Sequence, residues 1–426
     1  MKSVVLDNGA GSIKVSNCLH FRLFFILNGG FHLNYRQYGL GGEESPRIMS
    51  NCIARMQNSM NNLVGDELDA FNNHSVLKYA RAFDRGFLVD WQTEIDIWNR
   101  IFDSDHLDIS PTDHSLLVTE PFLNPLEFQN EMNEVIFEDY RFESCCRRPA
   151  VSFLEYYFRQ QRDDIHASDN HGCMLVVDSG FSFTHIVPFV NHKAVRNSSI
   201  RIDIGGKLLT NYLKEIISFR QMNVMDDFQL INQLKEEVCA ITETNDLSFP
   251  KFRCDFSDTR RVFILPDFQK TFHGVVLDEG MVDDSSHQFL KMGSEYVNVP
   301  EIFFSPTDIS MNQQGIVEAA SNCIHSFPKQ EASLICENIL LVGGNTQFFN
   351  FKRRFQSELQ KRVKIFDFVN VSESNDDSIV ASWKGASIFA ELAMNNVDAH
   401  SKYFVSRCEY EEHGHYYCNN KFQLYW

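Results

Sequence analysis

Val4-Val5-Leu6 runs into Asp7-Asn8-Gly9-Ala10-Gly11-Ser12-Ile13-Lys14. Half a chain later, Met174-Leu175-Val176-Val177 runs into Asp178-Ser179-Gly180-Phe181-Ser182-Phe183-Thr184-His185-Ile186-Val187. Each stretch reads as a buried apolar strand, a carboxylate at its end, a glycine turn and a second strand. One such element alone is an ordinary hairpin turn. Made twice, with Lys14 or His185 downstream of the acid, it points to a nucleotide. Glycine in a tight turn lets backbone N–H groups come close to phosphate oxygens. Carboxylates at Asp7 and Asp178 suit a hydrated Mg²⁺, which takes one or two acids and keeps most of its waters. Lys14 adds a point charge toward the phosphates.

Two later glycine pairs extend the pattern. Ile202-Asp203-Ile204-Gly205-Gly206-Lys207 precedes a helix-like run from Leu208 to Phe219. Ile339-Leu340-Leu341-Val342-Gly343-Gly344-Asn345-Thr346 is a buried strand followed by a turn that can open onto an adenosine. A helix over Gln233-Leu234-Lys235-Glu236-Glu237-Val238 puts Lys235 and Glu236 on a face able to meet a base or ribose. Ile95, Trp98, Ile101 and Phe102 line one face of a segment after Asp90, and Leu230, Ile231, Leu234 and Val238 line another. At helical spacing these stripes are core.

Composition sets the outer limits. The chain has 426 residues, 43% of them hydrophobic, with 38 phenylalanines, which excludes disorder as the main state and suffices for one large two-lobed body. No apolar run reaches the ~18 residues of a membrane-spanning helix. The formal charge of −18 is unlike that of a whole-surface nucleic-acid binder, so DNA contact would need a partner or a local patch such as Lys352-Arg353-Arg354 or Lys361-Arg362. Eleven cysteines without a framework, and no cleavable leader at Met1, point to a reducing compartment, cytosol or nucleus. Cys408, His413, His415 and Cys418 have the count of a zinc quartet but not its usual tight Cys-x-x-Cys pairs.

Several strings resemble the actin family, within the superfamily that also holds sugar kinases and Hsp70 chaperones. They are His114-Ser115-Leu116-Leu117-Val118-Thr119-Glu120-Pro121 with Asn124-Pro125, the helix-like Asn130 to Tyr140, and Pro300-Glu301-Ile302-Phe303-Phe304-Ser305-Pro306. The Gly315-Ile316 step and Ser382-Trp383-Lys384-Gly385-Ala386-Ser387 belong with them. The second hairpin through Pro188, the run from Gly205 to Ser218, and Tyr410-Glu411-Glu412-His413-Gly414-His415 are more similar to a nuclear actin-related subfamily than to actin itself.

The resemblance implies an α/β, actin-like fold of two lobes and four subdomains, built from duplicated ribonuclease-H-like α/β domains around a central nucleotide cleft. Residues 1–141 with 379–426 would form the first lobe, with 52–81 a small second subdomain and 16–37 an insertion. Residues 142–378 would form the second lobe, with 204–311 the fourth subdomain. The resemblance also places Asp7, Gly9, Gly11, Lys14, Asp178, Gly180, Gly206 and His185 around Mg²⁺ and phosphate, and Lys235, Glu236, Gly343 and Gly344 around the nucleoside of ATP or ADP. The departures from actin are Ala10 for a phosphate-touching serine, Phe181 for a second-hairpin aspartate, and Ile379 for a lysine at the adenine rim. Glu134 is read in place of the glutamine that positions the attacking water. Phosphoryl transfer is catalysed by positioning and charge stabilisation, and one preorganised donor is worth ~3 kcal/mol. Two losses predict slow or absent turnover, with no catalytic residue assigned.

In function, the resemblance implies a nuclear protein with a cytoplasmic pool. It would be a subunit of a SWR/SRCAP-type remodelling complex that exchanges histone for the Z-type variant. Its expected partners are the large remodelling ATPase and a zinc-finger HIT subunit, with histones and nucleosomal DNA reached through them. No membrane contact is expected, nor filaments, because residues 52–81 do not match the actin loop that joins filament subunits. A weak ATPase and a cytoskeletal actin-like protein are the alternatives.

Overall fold

The computed structural model describes residues 2–9, 12–18, 45–56, 62–71, 76–162, 172–242, 261–268, 271–278, 288–364, 368–373 and 379–423. Both opening stretches form hairpins. β1 (Lys2–Asn8) pairs antiparallel with β2 (Ser12–Cys18), which pairs with β3 (Arg47–Ser50). On its other side β1 runs parallel to β4 (His114–Glu120), and β4 parallel to β5 (Ser144–Pro149). Val405–Ser406 closes that edge. In the second sheet, β6 (Met174–Ser179) pairs antiparallel with β7 (Thr184–Val190) and parallel with β8 (Ile339–Val342).

The two sheets therefore share one plan, a hairpin beside a parallel strand. Register repeats too: Asp7 lies opposite Lys14, and Asp178 opposite His185. Strands covered on both faces read as unbroken apolar runs, and every residue of β4 and β8 is buried. Smaller three-stranded sheets sit on each lobe, over Ile53–Met56, Asn62–Val64 and Leu77–Ala80 and over Arg261–Ile264, Val275–Asp278 and Phe289–Met292.

Helices form where the apolar stripes predict them. α1 (Trp91–Phe102) starts at Asp90, whose side chain accepts from the Thr93 N–H, a standard N-cap. It packs Ile97, Trp98, Ile101 and Phe102 against Val4, Leu6, Leu116 and Val118 of the first sheet. α2 (Leu126–Glu134) starts earlier than the Asn130 read from sequence, and passes into a π-turn over Val135–Asp139. α3 (Ala150–Arg162) leaves the end of β5. In the second lobe α4 (Gly206–Arg220), α5 (Phe228–Val238) and α6 (Phe351–Arg362) share one core. Leu209, Leu213, Ile231, Leu234, Val238, Phe351 and Phe355 meet there.

α3 and α7 (Ala381–Asn395) cross at the junction of the lobes. On one side Phe153, Trp383 and Ala386 cover Val5 and Leu117; on the other Val151, Leu154 and Ala381 cover Val176 and Val187. The crossing needs glycine at 385, since a Cβ there would lie 2.1 Å from the Phe153 carbonyl oxygen. α8 (Arg407–Gln423) follows, kinked at Gly414 (φ 69°).

Some sequence readings change. Ser16, Asn17 and Cys18 complete β2 opposite Val5, Val4 and Ser3, so they are strand rather than the start of an insertion. The remainder of that segment through Gln37 lies outside the described residues, as do Ala10, Gly11 and the Asn/Met-rich residues 57–61. Arg354 is not part of a basic surface. It is fully buried and donates to Glu301 (2.9 Å), Thr242 and Glu358. Lys352 lies 3.6 Å from Glu373, which leaves Arg353, Lys361 and Arg362 exposed on α6. Cys418 is in the core, its thiol pushed up to about 12 by burial, whereas Cys408 is exposed. His415 faces Glu134 at 3.5 Å. Among the described residues no cluster of three or more His, Cys, Asp or Glu could hold a metal ion, and no helix is long and apolar enough to cross a membrane.

Candidate nucleotide cleft

Ligands of open α/β sheets gather at the carboxyl ends of the strands. Here the ends of β1 and β6 face one cavity of about 710 Å³ between the lobes, within the range of small-molecule sites. Asp7, Asn8 and Gly9 line one wall, and Asp178, Gly180 and His185 the other; Gly206, Lys235, Glu236, Gly343, Gly344 and Ile379 complete it. Lys14 is placed by backbone register opposite Asp7.

Around the first hairpin the environment is polar. The buried Asp7 carboxylate accepts from Thr119 Oγ1 (2.7 Å) and from Ser382 Oγ, so β4 and α7 both hold it. Thr119 Oγ1 also accepts from the Asn8 N–H (2.9 Å), and Asn51 Nδ2 donates to the Gly9 carbonyl (2.9 Å). Beneath them Glu94 is completely buried and accepts from Trp98 Nε1 at 3.0 Å. Burial pushes the Glu94 carboxyl up to about 7, against the opposing hydrogen bonds of Asn8, Trp98 and Asn51. Glu94 and Asn51 were not foreseen. Glu94 sits where helical periodicity calls for core, and a lone acid in a stripe reads as an outward position.

Around the second hairpin the turn is tied to protein. Gly180 N–H donates to the Phe183 carbonyl, Gly206 N–H to Gly180, and Lys207 N–H to Phe181, at 3.0, 3.1 and 2.8 Å. Asn345 Nδ2 donates to the Gly180 carbonyl at 2.6 Å. Gly343, at φ 92°, brings the end of β8 so near that a Cβ would lie 2.2 Å from the Ser179 carbonyl oxygen. His185 is buried, and its pKa is driven down to about 3 by desolvation and then by the charge of Arg201. It is a neutral imidazole at neutral pH. Its Nε2 has no hydrogen-bond partner among the described residues.

The nucleoside wall is mostly self-satisfied. Lys235 Nζ donates to Asn232 Oδ1 (2.9 Å), Thr210 Oγ1 (3.0 Å) and the Gly206 carbonyl (3.3 Å), and burial lowers its pKa. Glu236 is exposed and accepts from Asn232 Nδ2 at 2.8 Å. Phe181 and Phe183 line the cleft and their rings meet arginines: Arg81 lies 4.8 Å from the Phe181 centroid and Arg201 4.5 Å from that of Phe183. Arg81, Arg201 and Asn345 were missed, because each gains meaning only from a partner distant in sequence.

Glu134 needs correction. It ends α2 with 55% of its side chain exposed, beside His415, and does not line the cleft. It lies on the helix before β5, whereas the cleft is bordered by the end of β5, where Pro149 leads into Ala150. Neither Pro149 nor Ala150 has a polar side chain; the polar residue lining the cleft beside them is Glu120, paired with Pro149 in register and 3.1 Å from Arg147 Nε. The cavity volume, the two acids and the orphaned His185 Nε2 fit a bound nucleotide with its metal. Asp7 and Asp178 would face the metal's waters, and Gly343, Gly344 and Glu236 the nucleoside.

Residues 25–423 match the profile of the Actin family. Among curated proteins, an actin-related protein 6 of Drosophila melanogaster is 31% identical over 420 residues, covering 96% of this chain and 97% of its own length. One from Arabidopsis thaliana is 30% identical over 446 residues, covering 98% and 99%. One from Oryza sativa subsp. japonica is 31% identical over 458 residues, covering 98% of each. With the duplicated hairpin sheets facing one cleft, these likenesses establish that the chain belongs to the actin family, as an actin-related protein.

Proposed function

We propose that this chain is a structural subunit rather than an enzyme: an actin-related component of a nuclear SWR/SRCAP-type remodelling complex that exchanges histone for the Z-type variant. It holds a nucleotide without efficient turnover. The observation that carries the non-enzymatic reading is the second turn, where Phe181 and Phe183 point toward arginines and no amide side chain stands at the end of β5. A bound Mg-nucleotide would supply a hydrated cation whose waters Asp7 and Asp178 would hold, offsetting the phosphate charge. The chain's own residues orient it: Thr119 and Ser382 fix the Asp7 carboxylate, and His185, held neutral, lines the opposite wall. The likeness to the actin-related protein 6 group supports the assembly reading. Its partners are then the large remodelling ATPase and a zinc-finger HIT subunit, with histones and nucleosomal DNA contacted through them. The protein is mainly nuclear, with a cytoplasmic pool, and does not form filaments.

Affinity purification of the full chain from its own cells, followed by mass spectrometry, tests this reading. Recovery of a remodelling ATPase with a zinc-finger HIT protein is expected. Recovery of cytoskeletal proteins alone would overturn it. The second reading, a slow nucleotide hydrolase, is favoured by Asp178 and His185 sharing the cleft wall.

A further inference from the structure

Two guanidinium–aromatic contacts run from lobe to lobe beside the cleft. Arg81 follows the first-lobe strand Leu77–Ala80, and its guanidinium lies 4.8 Å from the Phe181 ring and 5.1 Å from the Phe228 ring, both in the second lobe. The two rings meet edge to face at 6.0 Å, and the guanidinium sits in the corner they form, against both. Arg201, from the second-lobe strand Ile200–Ile202, lies between Phe183 of its own lobe (4.5 Å) and Phe87 of the first lobe (4.7 Å). Arg201 Nη2 also donates to the Arg85 carbonyl at 2.6 Å, and its Nε to Asp203 at 2.8 Å.

The hairpin that carries Phe87 is shaped for this contact. Gly86 takes φ 80°, and a Cβ there would lie 1.9 Å from the Phe183 ring, so the ring rests on bare backbone. Each contact thus takes one phenylalanine from the second turn, and one arginine comes from each lobe. Guanidinium is planar and weakly hydrated, which suits stacking between rings at a partly wet cleft edge.

We propose that these two arginine–aromatic contacts form an interlobe clamp that sets cleft width independently of ligand. A ligand shifts a conformational equilibrium only by its differential affinity for the two states. With the lobes already joined by side chains of both, nucleotide and metal have little left to shift. This inference concerns lobe spacing and stands whether or not the cleft is occupied in the cell.

The test uses the full chain in Mg-ATP and in EDTA, read by small-angle scattering and by hydrogen exchange over residues 83–88. Wild type, Arg81→Ala/Arg201→Ala and Arg81→Lys/Arg201→Lys are compared; the lysine pair keeps both charges and carries the test if the alanine pair fails to fold. Wild type is expected to scatter identically in both buffers. The lysine pair should show a larger radius of gyration in EDTA, partly reversed by Mg-ATP, and roughly tenfold faster exchange over 83–88. A wild-type radius that changes with Mg-ATP would overturn the clamp, as would a folded lysine pair indistinguishable from wild type.

Discussion

Asp7 and Asp178 end equivalent strands, lie opposite a basic residue in equivalent register and face the same cavity. Their surroundings differ in kind. The first hairpin is backed by hydroxyls and amides of Thr119, Ser382, Asn8 and Asn51, with a buried acid, Glu94, beneath. The second is backed by rings, with Phe181 and Phe183 turned toward Arg81 and Arg201. A duplicated backbone thus supports two kinds of interaction. One half holds a carboxylate in a fixed position, while the other uses the equivalent turn to grip the opposite lobe.

The contrast breaks most sharply at Gly86. Gly86→Ala puts a methyl into the Phe183 ring at a positive φ, and should cost about 2–4 kcal/mol in the denaturant midpoint. Gly414→Ala, at φ 69° and ψ −168° in a region open essentially only to glycine but with open space around it, should cost about 1–3 kcal/mol of backbone strain alone. Equal losses at both sites would mean that the ring contact adds nothing to the backbone strain.

Next come the two buried titrating groups, whose pH slopes are opposite. Glu94 has its folded pKa raised to about 7, so its contribution is complete below the unfolded value of 4.5 and is lost as pH rises through 7. Glu94→Gln should therefore be more stable than wild type above pH 7, on the order of 1–3 kcal/mol, and the gap should close near pH 4.5. His185 has its folded pKa lowered to about 3, so its contribution is present above the unfolded 6.5 and is lost as pH falls toward 3. His185→Gln should lose less stability than wild type on acidification below 6.5, on the order of 1–3 kcal/mol by pH 4. Thermal melts across pH 4–8 check both, and parallel wild-type and variant curves would contradict the assignment. A smaller effect tests the polar half: Ser382→Ala removes one hydroxyl from Asp7 and should cost about 1–2 kcal/mol by chemical denaturation.

The fold was legible because its signals are local. Val4 to Asp7 and Met174 to Asp178 carry strand and acid in sequence, each followed by glycine, and the stripes at Ile95 to Phe102 and Leu230 to Val238 carry their own period. Cleft membership was legible for Asp7, Asp178, His185 and the paired glycines for the same reason. Glu134 was misplaced because a polar residue on a helix before β5 cannot be told by spacing from one at the end of β5; only the parallel register of β5 with β4 puts Pro149 at that edge. The basic run at Lys352 misled because burial of Arg354 depends on Glu301 and Thr242, far away in the chain. Phe181 was read as a lost acid. Its gain, a stack with Arg81, needs the other lobe to be seen.

The proposed function has the cleft hold a nucleotide without efficient turnover. Steady-state phosphate release from purified full-length protein in Mg-ATP, against an Asp7→Ala/Asp178→Ala double variant, tests that most directly. The account predicts identical background rates for the two proteins. Release by wild type clearly above the double variant would contradict it.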